Sequence, residues 1–212
     1  MPTATYIGAG LDLRPIILFP LIDTFIYIDS MPISPYGTLS YDDEQFYNDS
    51  FCNNLIQLMF NYKFTIIKQS TNYIEFNNGK KILKYYLNTA FPQHLTDNII
   101  ADINKCDTLI LCGFCPNKKI IELMPKLSCI IGSHTCYSSL DIYEDEQQLN
   151  DSSFQYIINN PDICKTYLFM NEKKSCDYWD TTTLIDSIID SYDILECTNM
   201  LDFEKYRLPS TL

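Results

Sequence analysis

Basic residues are scarce in this chain of 212 residues, and their scarcity restricts the partners it can bind. Its 15 lysines and arginines stand against 27 aspartates and glutamates, which gives a formal net charge of −12. Proteins bind nucleic acid mainly through Lys and Arg that displace counterions. The clustered lysines amount only to pairs, at 80–81, 118–119 and 173–174. We therefore expect no appreciable binding to bare duplex DNA.

The sequence also lacks an unbroken apolar run and a basic-then-apolar leader. Its longest apolar region, residues 13–28, is interrupted by Arg14, Pro15, Pro20 and Asp23. A transmembrane helix needs about 20 consecutive apolar residues, so this region is not expected to span a bilayer. The nine cysteines are scattered rather than spaced as a disulfide framework. These absences predict a soluble, cytoplasmic protein with reduced thiols and no membrane partner.

Short apolar runs alternate with helical patterns along much of the chain. Nearly continuous apolar strands that alternate with helices favour a parallel sheet covered on both faces. The sequence therefore predicts one α/β domain over residues 1–212, with a Rossmann-like, mostly parallel sheet and helices on both faces. The predicted strands are residues 4–8, 25–29, 108–112, 128–132 and 166–170, and the predicted helices include residues 118–124, 154–158 and 183–189.

Three further strand-like runs follow one another without helices, at about residues 63–69, 72–77 and 80–88. The Asn77-Asn78-Gly79 sequence between the last two offers the positive backbone angles of a tight hairpin. We expect an antiparallel β-meander here, inserted into the domain as an elaboration. The acidic stretch 141–151 is expected to be a loop.

A glycine turn follows the first predicted strand, in the sequence Ile7-Gly8-Ala9-Gly10. Ligands of doubly wound sheets bind at the carboxyl ends of strands, where glycine lets the backbone approach them. Asp29 ends the second strand about twenty residues later, where a carboxylate can accept hydrogen bonds from ribose. Gly8, Gly10 and Asp29 are thus candidates for a nucleotide site; the alternative is a turn that serves only close packing.

The motif Gly8 to Arg14, GAGLDLR, resembles the first motif of leucine carboxyl methyltransferase-like enzymes, a branch of the class I S-adenosylmethionine-dependent methyltransferases. The stretch FIYIDSMP at 25–32 is similar to that family's second motif. The resemblance implies that Gly8 and Gly10 line S-adenosylmethionine and that Asp29 holds its ribose. We expect Asp29 to lie at an exposed strand end. Asp12 and Arg14 match motif positions too, as cofactor-binding residues or as a salt bridge at a helix start. The sequence as a whole also resembles uncharacterised proteins of mimivirus-group giant viruses. This resemblance makes the host cytoplasm or a virion the expected location.

The chain departs from that family at several positions. Tyr6 stands where most class I methyltransferases have an acid. We also expect no counterpart of the N-terminal helices that shape the substrate pocket in this family. At the fourth strand the family has a Glu-Gly pair, whereas this sequence has Cys112-Gly113, so that Gly113 alone is kept as a cofactor-binding candidate. Catalysis is more sensitive to such changes than cofactor binding is.

Other residues suggest further chemistry. Cys112 and Cys115 lie between a strand and a helix, the setting of a thiol redox pair, with buried core thiols as the alternative. His134 follows the fifth strand, where a general base would lie, although a polar loop residue is the plainer interpretation. Five residues could be considered as zinc ligands, but their spacing matches no standard closed site, so no metal site is predicted. These residues are Cys112, Cys115, Cys129, His134 and Cys136.

Three hypotheses of function follow. The first is a methyltransferase-like protein that binds S-adenosylmethionine and transfers its methyl group to an unidentified acceptor. The second is a catalytically degenerate Rossmann-like protein that serves as an interaction or virion component. The third is thiol redox chemistry at Cys112 and Cys115. The oligomeric state is left open.

Overall fold

The computed structural model describes residues 2–29, 41–87, 95–111, 118–133, 153–177, 180 and 182–202; within it, the side chains of 41–49 and 153–155 are left out. Nine strands are assigned: β1 (Thr3–Ile7), β2 (Thr24–Ile28), β3 (Thr65–Ser70), β4 (Tyr73–Asn77), β5 (Ile82–Tyr86), β6 (Thr108–Leu111), β7 (Cys129–Ser133), β8 (Thr166–Glu172) and β9 (Tyr192–Cys197). The helices are α1 (Arg14–Leu18), α2 (Tyr41–Asn61), α3 (Asp97–Ile103), α4 (Lys119–Glu122), α5 (Ser153–Asn159) and α6 (Ile185–Ser191), with a short 3₁₀ helix at Pro161–Ile163.

All nine strands form one sheet in the order β3-β4-β5-β2-β1-β6-β7-β8-β9. Six of them, from β5 through β8 in that order, are parallel to one another. If these six are numbered along the chain, their order is 3-2-1-4-5-6, which is the order of doubly wound dinucleotide-binding sheets. The mixed α/β architecture and mostly parallel sheet therefore agree with the prediction.

Apolar residues on both faces of the strands fix the position of the sheet between two layers of helices. In β1, Tyr6 packs into the cluster shared with α1, α2 and α6, whereas Ile7 packs into the cluster shared with α3, α4 and α5. Successive strand residues point to opposite faces, so an unbroken apolar run fills both cores. This confirms the expectation of helices on both faces.

The predicted meander is present but is not a separate insertion, which corrects the expectation. β3, β4 and β5 pair antiparallel, yet β5 also pairs parallel with β2 along its whole length, from Thr24 opposite Ile82 to Ile28 opposite Tyr86. β5 is therefore the third parallel strand, and β3 and β4 extend the sheet beyond it. The predicted tight turn is found at Gly79, whose φ is +81°.

The strand β9 was missed by the sequence prediction. It pairs antiparallel with β8, from Tyr167 opposite Cys197 to Glu172 opposite Tyr192, and forms the far edge of the sheet. The expected acidic loop at 141–151 lies outside the described residues. Within the described part of the chain, no helix has the length and apolar character needed to cross a membrane.

Candidate cofactor site at the glycine turn

The glycine turn lies at the carboxyl end of β1, between β2 and β6, where the strand order reverses. Gly8 and Gly10 have φ of +73° and +51°, in the left-handed region that glycine enters at no steric cost. The Gly8 N–H donates to Ile28 O at 2.8 Å and the Asp12 N–H donates to Ala9 O at 3.0 Å. The turn thus leaves the sheet through a glycine and closes on itself before α1 begins.

The carboxylate of Asp29 holds this turn against the neighbouring strand. Its Oδ2 accepts a hydrogen bond from the Gly10 N–H. Tyr85, on β5, places its hydroxyl 2.7 Å from Gly10 O and 3.1 Å from Asp29 Oδ2, so its one proton is donated to either. Burial, and then the charge of Asp29, raise the pKa of Tyr85 well above its usual value, which keeps the hydroxyl protonated.

Asp29 was expected at an exposed strand end, and this expectation was wrong. The residue is only 6% exposed. The Asp29 N–H continues the β2–β5 ladder by donating to Tyr86 O at 2.9 Å, which draws the side chain into the sheet edge. Asp29 is therefore a structural acceptor for the turn, whatever else it binds.

Asp12 and Arg14 form a buried ion pair at the start of α1. Arg14 donates from Nε to Asp12 Oδ1 and from Nη2 to Asp12 Oδ2, both at 2.8 Å, in a two-pronged contact. The Tyr6 hydroxyl donates to Asp12 Oδ2 at 3.0 Å, and the Arg14 backbone N–H donates to Oδ1 at 3.1 Å. Arg14 is 2% exposed and Asp12 is 5% exposed. Of the two predicted roles, the geometry matches the salt bridge at a helix start.

The same arginine connects the turn to the far end of the chain. Arg14 Nη1 donates to the Tyr192 hydroxyl at 3.3 Å, and its guanidinium carbon lies 5.4 Å from the centre of the Tyr192 ring. Burial raises the pKa of Tyr192, although the nearby guanidinium opposes the shift. The turn network therefore joins β1, α1 and the first residue of β9.

The predicted site residues divide into those that the structure brings together and those outside the described residues. Gly8, Gly10, Asp12, Arg14 and Asp29 gather at the turn. Gly113, His134, Cys112, Cys115 and Cys136 all lie outside the described residues, as do most of the residues that directly follow β2, β5, β6 and β7.

The described cysteines give no sign of a metal site. Cys129 is half-buried in β7, where burial and then Cys164 raise its pKa to about 12. In the described ranges, no group of three or more His, Cys, Asp or Glu side chains is arranged to hold a metal ion.

Sequence reasoning missed the tyrosines of the site. Tyr85 reaches Gly10 only because β5 lies beside β2 in a register that places Tyr27 opposite Tyr85. Tyr192 comes from 178 residues further along the chain than Arg14. Tyr6 was noted only as a departure from an acidic position, and its role as a donor to Asp12 had no local signal.

The fold and the turn define a mixed α/β chain with a large, mostly parallel sheet, consistent with a Rossmann-like fold. No protein-family model matches the chain, and comparisons with curated proteins and with solved structures found no match either.

Proposed function

We propose that the glycine turn binds a nucleotide-type cofactor, with S-adenosylmethionine as the candidate. The observation that carries the proposal is the pair of positive-φ glycines at the end of the central strand, at the reversal of strand order. Open α/β sheets bind their ligands at this point. Among the described residues, a Cβ added to Gly10 would meet Asp29 Oδ2 alone, at 3.9 Å, so these residues leave room for a side chain there.

Each residue of the turn has a distinct role in this proposal. The backbone of Gly8 and Gly10 faces the cofactor. Asp29 and Tyr85 hold the turn from one side, and the Asp12–Arg14 pair holds it from the other. Because Asp29 Oδ2 already accepts the Gly10 N–H, any ribose contact of Asp29 is made by a carboxylate fixed in place before binding.

S-adenosylmethionine carries a methyl group that its sulfonium has already activated. Methyl transfer then needs an acceptor held in line with that group and the exclusion of water, rather than a strong acid–base pair. The described residues supply a rigid wall for this purpose, since the turn is bonded on both sides.

A second candidate function is a non-catalytic protein that keeps the fold for interactions. One observation favours it: Asp12, Arg14 and Asp29 are 2–6% exposed and already have partners within the protein. Arg14 donates to Asp12, and Asp29 accepts from the Gly10 N–H, so these side chains need no ligand to satisfy their charges and hydrogen bonds. The two candidates differ in whether the turn accepts a cofactor.

The test is thermal unfolding of the protein with S-adenosylmethionine, S-adenosylhomocysteine, NAD or ATP. A ligand at about 100 times its dissociation constant stabilises the folded state by about 2.7 kcal/mol. We expect stabilisation by the first two compounds. Stabilisation by NAD or ATP alone would support a nucleotide site at the turn but would contradict the proposal of methyl transfer. No stabilisation by any of the four at millimolar concentration would favour the non-catalytic protein.

The matched variants are Gly10→Asn and Gly79→Asn. Asparagine tolerates the left-handed region better than other side chains, so each replacement should cost about 1 kcal/mol of stability or less. Gly79 has φ +81°, and no atom of the described residues lies within 4 Å of an added Cβ, which makes it the control for backbone strain. We expect Gly10→Asn to remove the ligand-induced stabilisation and Gly79→Asn to retain it. Equal stabilisation of both variants would place the ligand elsewhere.

A further inference from the structure

A polar groove lies on the face of the sheet opposite the glycine turn. Tyr85 points with Asp29 into one face, and its neighbours Lys84 and Tyr86 point to the other, because strand residues alternate. The strands β3, β4 and β5 form the floor of the groove and α3 forms its wall. The groove is open to solvent and has a volume of about 560 Å³, within the range of small-molecule sites.

Asp102 of α3 organises the basic residues of this groove. Its side chain is 8% exposed. Its Oδ2 accepts from Lys84 Nζ and from the Tyr86 hydroxyl, both at 2.8 Å, and its Oδ1 accepts from Lys105 Nζ at 2.9 Å. Although burial acts to raise the pKa of Asp102, these three donors lower it below the usual value. A single ionised carboxylate thus holds two ammonium groups close together.

The groove has an excess of positive charge in a chain of net charge −12. Three lysines line it, against the carboxylates of Glu75 and Asp102. Each ammonium has three N–H donors. Glu75, which lies between Lys68 and Lys84 in the sheet register, accepts instead from the Tyr73 hydroxyl at 2.5 Å. The Lys68 Nζ lies 5.6 Å from the centre of the Tyr73 ring. Within the described residues, Lys68 forms no salt bridge with a carboxylate.

Two aromatic rings, tilted against each other, lie beside these charges. Tyr73 and Tyr86 are cross-strand neighbours whose ring centres lie 4.8 Å apart at an interplanar angle of 45°. Both line the groove and both are only partly buried. Aromatic rings on a sheet floor bind flat ligands by stacking, and the adjacent lysines favour an anion.

We infer that this groove binds a small molecule in which a phosphate monoester is attached to a planar ring. Lys84 and Lys105 hold the phosphate from the Asp102 side and Lys68 supplies a third positive charge, while Tyr73 and Tyr86 contact the ring. The inference is independent of the proposed function, because the groove is lined by Lys84 and Tyr86 on one face of β5, whereas Tyr85, on the other face, contacts the glycine turn.

The test is calorimetric titration of the full chain with phenyl phosphate, inorganic phosphate and phenol as probes. Phenyl phosphate contains both recognised groups and no ribose. We expect it to bind at least about tenfold more tightly than inorganic phosphate, with phenol weaker still, since a tenfold change corresponds to about 1.4 kcal/mol. Equal affinity for phosphate and phenyl phosphate would mean an adventitious ion only, and would overturn the inference.

Variants locate the site. We expect Lys68→Ala, at an exposed position without an ion pair among the described residues, to weaken phenyl phosphate binding about threefold to tenfold. The control is Lys80→Ala, an exposed lysine in the hairpin of the same meander, which should leave the affinity unchanged. Equal weakening by the two variants would overturn the inference. Gly10→Asn should not alter phenyl phosphate binding, so a failure of the cofactor proposal and a failure at this groove give different results.

Discussion

The glycine turn and the groove each contain a buried aspartate that accepts bonds from basic side chains and a tyrosine, yet the two clusters differ in exposure. At the turn, the Arg14 side chain is 2% exposed and that of Asp12 is 6% exposed. In the groove, the Lys84 and Lys105 side chains that bind Asp102 are 24% and 65% exposed. The turn cluster is thus sealed within the fold, whereas the groove cluster keeps donors that face solvent.

This difference in exposure predicts that the two ion-pair clusters contribute differently to stability. Removing one partner from a buried pair leaves an uncompensated charge in a medium of low polarity, which is expensive. Exposed ion pairs contribute little to stability because water and salt screen them. We therefore expect the arginine at the turn to be required for the fold, and the lysines of the groove to be largely dispensable for it.

The largest expected effect is that of Arg14→Met. It should lower the free energy of unfolding by about 3–5 kcal/mol, because Asp12 is left buried without its cation. The measurement is urea denaturation at neutral pH. The control from the groove is Lys105→Met, expected to cost about 1 kcal/mol or less. Losses of equal size in the two variants would remove the distinction between the clusters.

A smaller effect is expected for Asp29→Ala. The Gly10 N–H loses its carboxylate acceptor in a buried setting, so we expect a loss of about 1–3 kcal/mol in the free energy of unfolding. Tyr85→Phe removes only a neutral donor and should cost about 1 kcal/mol. Because Asp29→Ala destabilises the turn, a weaker affinity for cofactor in this variant does not by itself assign a ribose contact. An Asp29→Ala protein as stable as the parent would contradict the observed burial.

The smallest effect concerns pH. The pKa of Asp102 is lower in the folded protein than the usual value of 3.8, so its ionised form stabilises the fold. This contribution is present in full above the unfolded pKa and is lost as the pH falls through the folded pKa. The difference in unfolding free energy between the parent and Asp102→Asn should therefore be constant from pH 7 to about 5 and shrink below pH 4. A difference that does not change with pH would show that Asp102 acts through packing alone.

The parts of the fold that could be predicted from sequence are those with a local pattern. The strands β1, β2, β6, β7 and β8 are apolar runs bounded by polar or turn residues, and their boundaries were predicted to within a residue or two. The gathering of Gly8, Gly10 and Asp29 followed from one rule of parallel sheets, that neighbouring strands end at the same edge.

The other features of the fold depend on which strands pair with each other, and no local sequence pattern shows this pairing. β5 has the same alternation whether it ends a separate meander or pairs with β2. β9 starts directly after Ser191, with no Gly or Pro between helix and strand to mark a boundary. The burial of Asp29 depends on Tyr85, a residue 56 positions away. The groove likewise depends on pairing, because its charged residues come from β3, β4, β5, α3 and the residues just after α3.

The bond between Arg14 and Tyr192 also has a consequence for the order of assembly during synthesis. The two residues are separated by 178 positions. A ribosome that adds about 5–20 residues per second needs roughly 10 to 35 seconds to cover that distance. The strand β1, the glycine turn and α1 therefore emerge long before β9. The contact of Arg14 with Tyr192 forms only after β9 has been synthesised, whereas both partners of the Arg14–Asp12 pair are present from the start.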